Sequence, residues 1–156
     1  IADKSSPSEL FASGKLLGRP SAGRMSMFFY DPKFKQRLPY YDTFPLVLPL
    51  EPMRGGFIGL NFHYLPYGAR FAFLQQLQRY SSNNKFDQST KIQASYNAIK
   101  GNKYTKASIK RYLYSHVRSQ FLRVNVNEMA LAAYLPVAQF QGRTLGGVFA
   151  AARKNF

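Results

Sequence analysis

The stretch Gly55-Gly56-Phe57-Ile58-Gly59-Leu60-Asn61-Phe62-His63-Tyr64 decides how this chain is read. The glycine pair permits a tight turn. After it, Ile58, Leu60, Phe62 and Tyr64 fall on one face of an extended chain, and Gly59, Asn61 and His63 fall on the other. That is the period of a half-buried strand. Upstream, Phe44 to Leu50 is apolar but carries Pro45 and Pro49. Proline donates nothing to a ladder, so this segment is expected to be an edge strand or an irregular extended piece. Arg24 to Tyr30 is rich in Met and aromatic residues and stops at Asp31-Pro32, a turn signal. Residues 24 to 64 are therefore the β-rich part.

Downstream the period lengthens. Pro66 suits a first helical turn, with Phe71, Leu74, Leu77 and Tyr80 following at helical spacing. A second helix is expected from about Thr90 to Lys100, stopped by Gly101. A third, capped by Thr105 or Ser108, would carry Ile109, Tyr112, Leu113, His116 and Val117 as one apolar stripe, with Arg111 and Arg118 pointing away. Leu122, Val124 and Val126 alternate with Arg123 and Asn125, as in a short strand. Asn127 caps a last helix through Met129, Leu131, Ala132 and Leu135, which Pro136 ends. The expected fold class is α+β: a small, proline-interrupted antiparallel sheet or open barrel followed by three or four helices. Residues 1–23 are expected as an extended N-terminal arm, 24–140 as a single domain and 141–156 as a basic C-terminal arm.

The chain has 156 residues, 22 Lys and Arg against 7 Asp and Glu, a net charge of +15 and 46% hydrophobic residues. An apolar fraction of that size excludes a wholly disordered basic tail. No apolar run approaches the ~18 residues of a membrane span. Without cysteine there is no disulfide scaffold and no thiolate metal site. The excess of positive charge points to an acidic partner. Between Asp87 and Glu128 there is no carboxylate, while Lys91, Lys100, Lys103, Lys106, Lys110, Arg111, Arg118 and Arg123 all lie in that span. Seven of these, Lys100, Lys103, Lys106, Lys110, Arg111, Arg118 and Arg123, are the candidate contacts to a phosphate backbone. The alternative is a solvated helix face, or one docked on an acidic protein.

Little supports catalysis. His63 and His116 have no spacing that makes them a ligand pair, and a histidine on a core-facing stripe is usually structural. A metal-dependent nuclease needs clustered carboxylates. Asp31, Asp42 and Glu51 are the candidates, yet their spacing matches no such signature, and Asp31 and Asp42 have the look of turn residues. No phosphate-binding glycine loop followed by Lys-Ser/Thr is present, nor a nucleophile elbow. No cofactor, metal or small-molecule substrate is expected. The aromatic residues Phe28, Phe29, Tyr30, Phe34, Tyr40, Tyr41 and Phe44 could stack on exposed bases. The surrounding prolines favour a core role instead, with Lys33, Lys35 and Arg37 the basic residues interleaved among them.

Several strings carry a resemblance: Phe29-Tyr30-Asp31-Pro32-Lys33, Leu38-Pro39-Tyr40-Tyr41-Asp42, Phe44-Pro45-Leu46-Val47, and Gly56 through Pro66 with Arg70 after it. Ile109-Lys110-Arg111-Tyr112-Leu113 with His116-Val117 completes the set. Over roughly residues 24 to 140 the chain resembles a family of small basic virion-associated proteins of T-even-like and related large tailed phages, often labelled DNA end protector. The resemblance implies a non-enzymatic virion component, present in the host cytoplasm during assembly. It would bind double-stranded genomic DNA through its phosphates and cap or anchor a genome end near the portal or tail. The alternative within that setting is a structural neck, tail or baseplate protein that docks on acidic neighbours without touching DNA. A ribosomal-type RNA binder fits the charge alone.

Overall fold

The computed structural model describes residues 6–20, 24–81, 108–124, 128–134 and 137–154. The elements run α1 (Pro7–Ser13), β1 (Leu16–Leu17), β2 (Ser26–Met27), β3 (Tyr41–Asp42), β4 (Leu46–Met53), β5 (Gly56–Asn61), α2 (Tyr67–Ser81), β6 (Ile109–Leu113), β7 (Phe121–Arg123), α3 (Met129–Tyr134), β8 (Phe140–Gln141) and α4 (Leu145–Lys154). Six strands form an antiparallel sheet in the order β1-β7-β2-β4-β5-β6, and β3 pairs β8 in a small second sheet. The fold is α+β.

The hairpin of β4 and β5 is the centre of the sheet. Gly55 takes a positive φ of 76°, and the turn it makes sets Met53 opposite Gly56. β4 is not the edge strand that its prolines suggested, because it lies between β2 and β5. The sheet tolerates the prolines for two reasons. The pairs with β2 stop at Val47, short of Pro49, and the register on β5 shifts between Pro49 and Glu51. Such a bulge accepts a residue with no N–H to donate.

Strand alternation sends side chains to two cores. Leu46, Leu48, Leu60, Met27 and Leu122 lie on one face, packed with Leu10 of α1, Phe73 and Leu74 of α2, and Ala132 and Ala133 of α3. Phe28, Val47, Phe57, Tyr112 and Phe121 form a largely aromatic cluster on the other. β5 is thus buried on both faces, not one, and it ends at Asn61, where Phe62–Tyr64 turn into a short 3-10 segment.

The segment 109–117 is a strand and a 3-10 turn, not the expected helix. Its apolar residues fit a helical stripe and a strand equally over so short a run. Ile and Tyr favour the pleated state, and pairing with β5 decides the matter: Phe57 faces Tyr112 and Gly59 faces Lys110. Gly56 is needed there because a Cβ would strike the Tyr112 carbonyl. The expected strand around Leu122 is β7 and the expected last helix is α3. The expected helix at Thr90–Lys100 lies outside the described residues, as do the cap at Asn127 and the stop at Pro136.

α2 follows Pro66 as expected, and among the described side chains its buried residues are Arg70, Phe73 and Leu74, while Phe71 is exposed. Arg70 is enclosed. It donates to the carbonyls of Leu65 (2.8 Å), Ala133 (2.7 Å) and His63 (3.1 Å), and it lies over the rings of Tyr67 and Phe149. Burial lowers its pKa to about 10, so it stays charged at neutral pH. Where an extended arm was expected at the N-terminus, Ser6 caps α1 by accepting from the Glu9 amide, Leu10 is buried, and Leu16–Leu17 pair with β7. Residues 141–154 likewise carry part of β8 and all of α4, with Val148 buried.

Candidate nucleic-acid interface

Beside the aromatic face, the chain from Asp31 to Tyr40 forms a projecting loop. Residues 33–39 are exposed throughout and include a 3-10 turn at Lys35–Arg37. The loop is tied at its base to the segment after β6. Tyr30 bridges Val117, the Asp31 amide donates to the His116 carbonyl (3.0 Å), and His116 Nδ1 donates to the Asp31 carbonyl (2.9 Å). The Tyr30 hydroxyl accepts from the Leu113 amide (2.9 Å). At its other end the loop runs into β3, which β8 holds. Gly142, with φ of 88°, packs its Cα against the Pro39 carbonyl, where a Cβ would collide. That close approach sets Arg143 over the ring of Tyr40, 4.5 Å from its centroid.

A buried polar knot fixes this corner. Asp42 Oδ2 accepts from His63 Nδ1 (2.7 Å) and Asn61 Nδ2 (3.1 Å), and Oδ1 accepts from the amides of Phe44 (3.0 Å) and Gln139 (3.2 Å). Burial pushes the Asp42 carboxyl up. The His63 charge and the donors from His63, Asn61 and Phe44 outweigh it and leave the pKa lowered. Asp42 is therefore a strand residue at the centre of a network, not the turn residue the sequence suggested. His63 Nε2 is buried without a partner among the described residues.

Between the loop, the knot and β6 lies a cavity of about 410 Å3. Its walls include Phe34, Tyr40, Tyr41 and Tyr64, and Lys33, Lys110 and Arg111 are also part of its lining. Contacts run in sequence across it: Arg143 on Tyr40, Tyr40 against Tyr64 (5.9 Å between centroids), and Lys110 Nζ 4.4 Å from the Tyr64 centroid. Lys33 and Arg37 lie against Phe34, at 5.2 Å and 5.6 Å. Burial raises the pKa of Tyr64 and Tyr112, so these phenols stay neutral beside the cations. Burial also lowers that of Lys110. Among the described residues no ion pair engages Lys33, Arg37, Lys110, Arg111 or Arg143. Asp31 instead holds Lys35 (2.9 Å) and approaches Arg118 (3.7 Å).

The seven cations singled out by the sequence are distributed unevenly. Lys100, Lys103 and Lys106 lie outside the described residues. Lys110 shares the aromatic face with Tyr112, while Arg111, the next residue on the edge strand β6, is exposed and is also part of the cavity's lining. Arg118 approaches Asp31, which also holds Lys35. Arg123 is on β7, four strand positions from β6, about 19 Å at ordinary strand spacing. The four described residues do not form one patch. The aromatic set divides as well: Phe28, Tyr30 and Phe44 are core, whereas Phe34 is 53% exposed and Tyr40 and Tyr41 line the cavity. The readable signal for these was the interleaving of Lys33, Phe34, Lys35, Arg37 and Leu38. Nothing local pointed to Tyr64 or Arg143. Among the described residues, no group of three His, Asp or Glu could hold a metal ion, and Asp31 and Asp42 are committed to the contacts above.

The family model of the phage T4 terminal DNA protecting protein matches residues 11–154. The chain belongs to that family. The match runs from α1 to the end of α4, so both the cavity and the carboxylate-free span fall within the part shared with the terminal DNA protecting proteins. No curated protein and no solved structure matches the chain.

Proposed function

We propose that this chain is a virion component that shields the ends of double-stranded phage DNA by binding them, without catalysis. Family membership supplies the end of the DNA as the target. The observation that carries the reading is the cavity: Lys33, Lys110 and Arg111 are part of its lining, Arg37 and Arg143 lie against the lining rings of Phe34 and Tyr40, and no carboxylate pairs with any of the five among the described residues. Lys100, Lys103 and Lys106 precede β6 and would extend the phosphate contacts. Arg118 and Arg123 would supply more distant ones. His63, the one imidazole bonded to a carboxylate here, has no exposed surface and does not line the cavity, and its partner Asp42, which does, is held by four donors within the fold. The protein would bind in the host cytoplasm during assembly and stay with the particle.

Binding of this kind is electrostatic. Contact with about five phosphates gives a log–log salt slope of about −4.5 on duplex DNA. Wild type should bind linear duplex with that slope and slow its digestion by an exonuclease. Lys33→Glu with Arg111→Glu, both exposed in the fold, should weaken binding and flatten the slope. Binding insensitive to salt, or unchanged in that variant, would refute the proposal.

A second surface supports docking on a portal, neck, tail or baseplate protein. Tyr67, Phe71, Leu131 and Tyr134 are 41–53% exposed on the packed pair α2 and α3, with Tyr67 and Tyr134 stacked at 5.8 Å. An exposed aromatic cluster suits a protein neighbour better than a phosphate backbone.

A further inference from the structure

We propose that the cavity between the 31–40 loop and β6 receives the unstacked terminal nucleotide of a DNA strand, its base against Phe34, Tyr40 and Tyr64 and its phosphate toward Lys110 and Lys33. The inference rests on the end-shielding reading and assigns it a site. Three observations select this occupant.

The first is size and wall chemistry. At about 410 Å3 the cavity falls in the range that encloses small molecules, and it is too small for a duplex. Its aromatic walls provide faces for stacking, which every base can use whatever its sequence.

The second is charge. Lys110 is held over Tyr64 in a half-buried position with no acid to pair it among the described residues. Burial without a partner penalises its ammonium. A phosphate placed beside it removes that penalty, so the site is built to be completed by an anion. Asp42, the acid in the lining, presents no free acceptor, since four donors occupy it.

The third is selectivity. A base inside a duplex must be unpaired and unstacked to enter such a cavity, and the cost is least where a base is already loose. The last nucleotide lacks a stacking neighbour on one side. A cavity that requires an unstacked base therefore discriminates an end from the interior with no contact to sequence.

The test compares a linear duplex with a covalently closed circle of the same sequence, using the full chain. Wild type should bind the linear form more tightly. Phe34→Ala should narrow that gap roughly tenfold, within the range of one base–aromatic stack, by weakening the linear form more than the circle. Phe34 is exposed, so the fold is spared. Leu38→Asp, also on the exposed loop, adds a charge at the cavity and should act in the same direction. A 2-aminopurine at the terminal position should change emission on binding, and the same base mid-duplex should not. If wild type prefers ends but both variants keep the preference, the cavity assignment is overturned while end shielding stands. If wild type binds circle and linear DNA alike, the assignment is overturned and only DNA binding stands. Loss of all salt-dependent binding in wild type would remove the reading beneath it.

Discussion

Replacing Asp42 with Asn changes one atom in the buried knot and tests whether that knot holds the corner of the fold. In the native protein the carboxylate accepts from His63 Nδ1, Asn61 Nδ2 and the amides of Phe44 and Gln139. An amide offers one acceptor oxygen. If that oxygen keeps the two backbone amides, the new NH2 faces the donors of Asn61 and His63. If His63 changes tautomer to accept, its proton moves to Nε2, which is buried without a partner. Asn61 cannot flip to help, because its own oxygen already accepts from the Leu46 and His63 amides. Every arrangement strands at least one buried donor, at about 1–3 kcal/mol each, and loses the charge-assisted bonds of a buried carboxylate. We expect a loss of about 3 kcal/mol, a large share of the roughly 5–15 kcal/mol of a typical domain. In urea at neutral pH the midpoint should drop by about 1.5 M for a slope near 2 kcal/mol/M.

A second measurement follows from the direction of the Asp42 shift. Its folded pKa lies below the ordinary 3.8, so its contribution is complete above the unfolded value and disappears as pH falls through the folded one. Asp42→Asn lacks this titration, and the stability gap to wild type should close in acid below about pH 4. A midpoint shift under about 0.5 M, or a gap that stays constant into acid, would refute the reasoning.

Lys110→Met separates binding from stability. Burial lowers the native pKa of Lys110, so between that value and the ordinary 10.5 the unfolded chain binds more protons and wild-type stability rises with pH. The variant should be no less stable in urea at pH 7, should lose that alkaline rise, and should show a DNA salt slope shallower by about one. Asp31→Asn should act in the opposite sense. It releases Lys35 and Arg118 from the carboxylate that holds them, so linear DNA should bind more tightly and with a steeper salt dependence, as filter binding at two salt concentrations would show.

Local pattern carried some of this fold. The glycine pair and the alternation after it are local signals, and they locate the β4–β5 hairpin. Pro66 similarly marks the start of α2. What was not legible depended on distant pairing. Nothing within Ile109–Val117 distinguishes a helical stripe from a strand, because the deciding partner is β5, some fifty residues earlier. The prolines of β4 suggested an edge, since the bulge that accommodates Pro49 is a property of two strands together. The site failed to show for the same reason. Tyr64 and Arg143 meet Tyr40 only once β3 and β8 have paired, whereas charge is visible residue by residue. Counting cations therefore found Lys110 and Arg111 but also Arg123, which the sheet carries to its far side.

The three carbonyls gathered by Arg70 bear on truncated copies of the protein. Its guanidinium draws acceptors from residues 63 and 65, just ahead of its own helix, and from Ala133, and it lies over the ring of Phe149 in the middle of α4. A polypeptide released early, or clipped before residue 133, would lose both an acceptor and the ring that covers this cation, along with the apolar contacts of α4. Incomplete copies would remain open to host proteases, and the population that survives to meet a genome terminus would be made of full-length molecules.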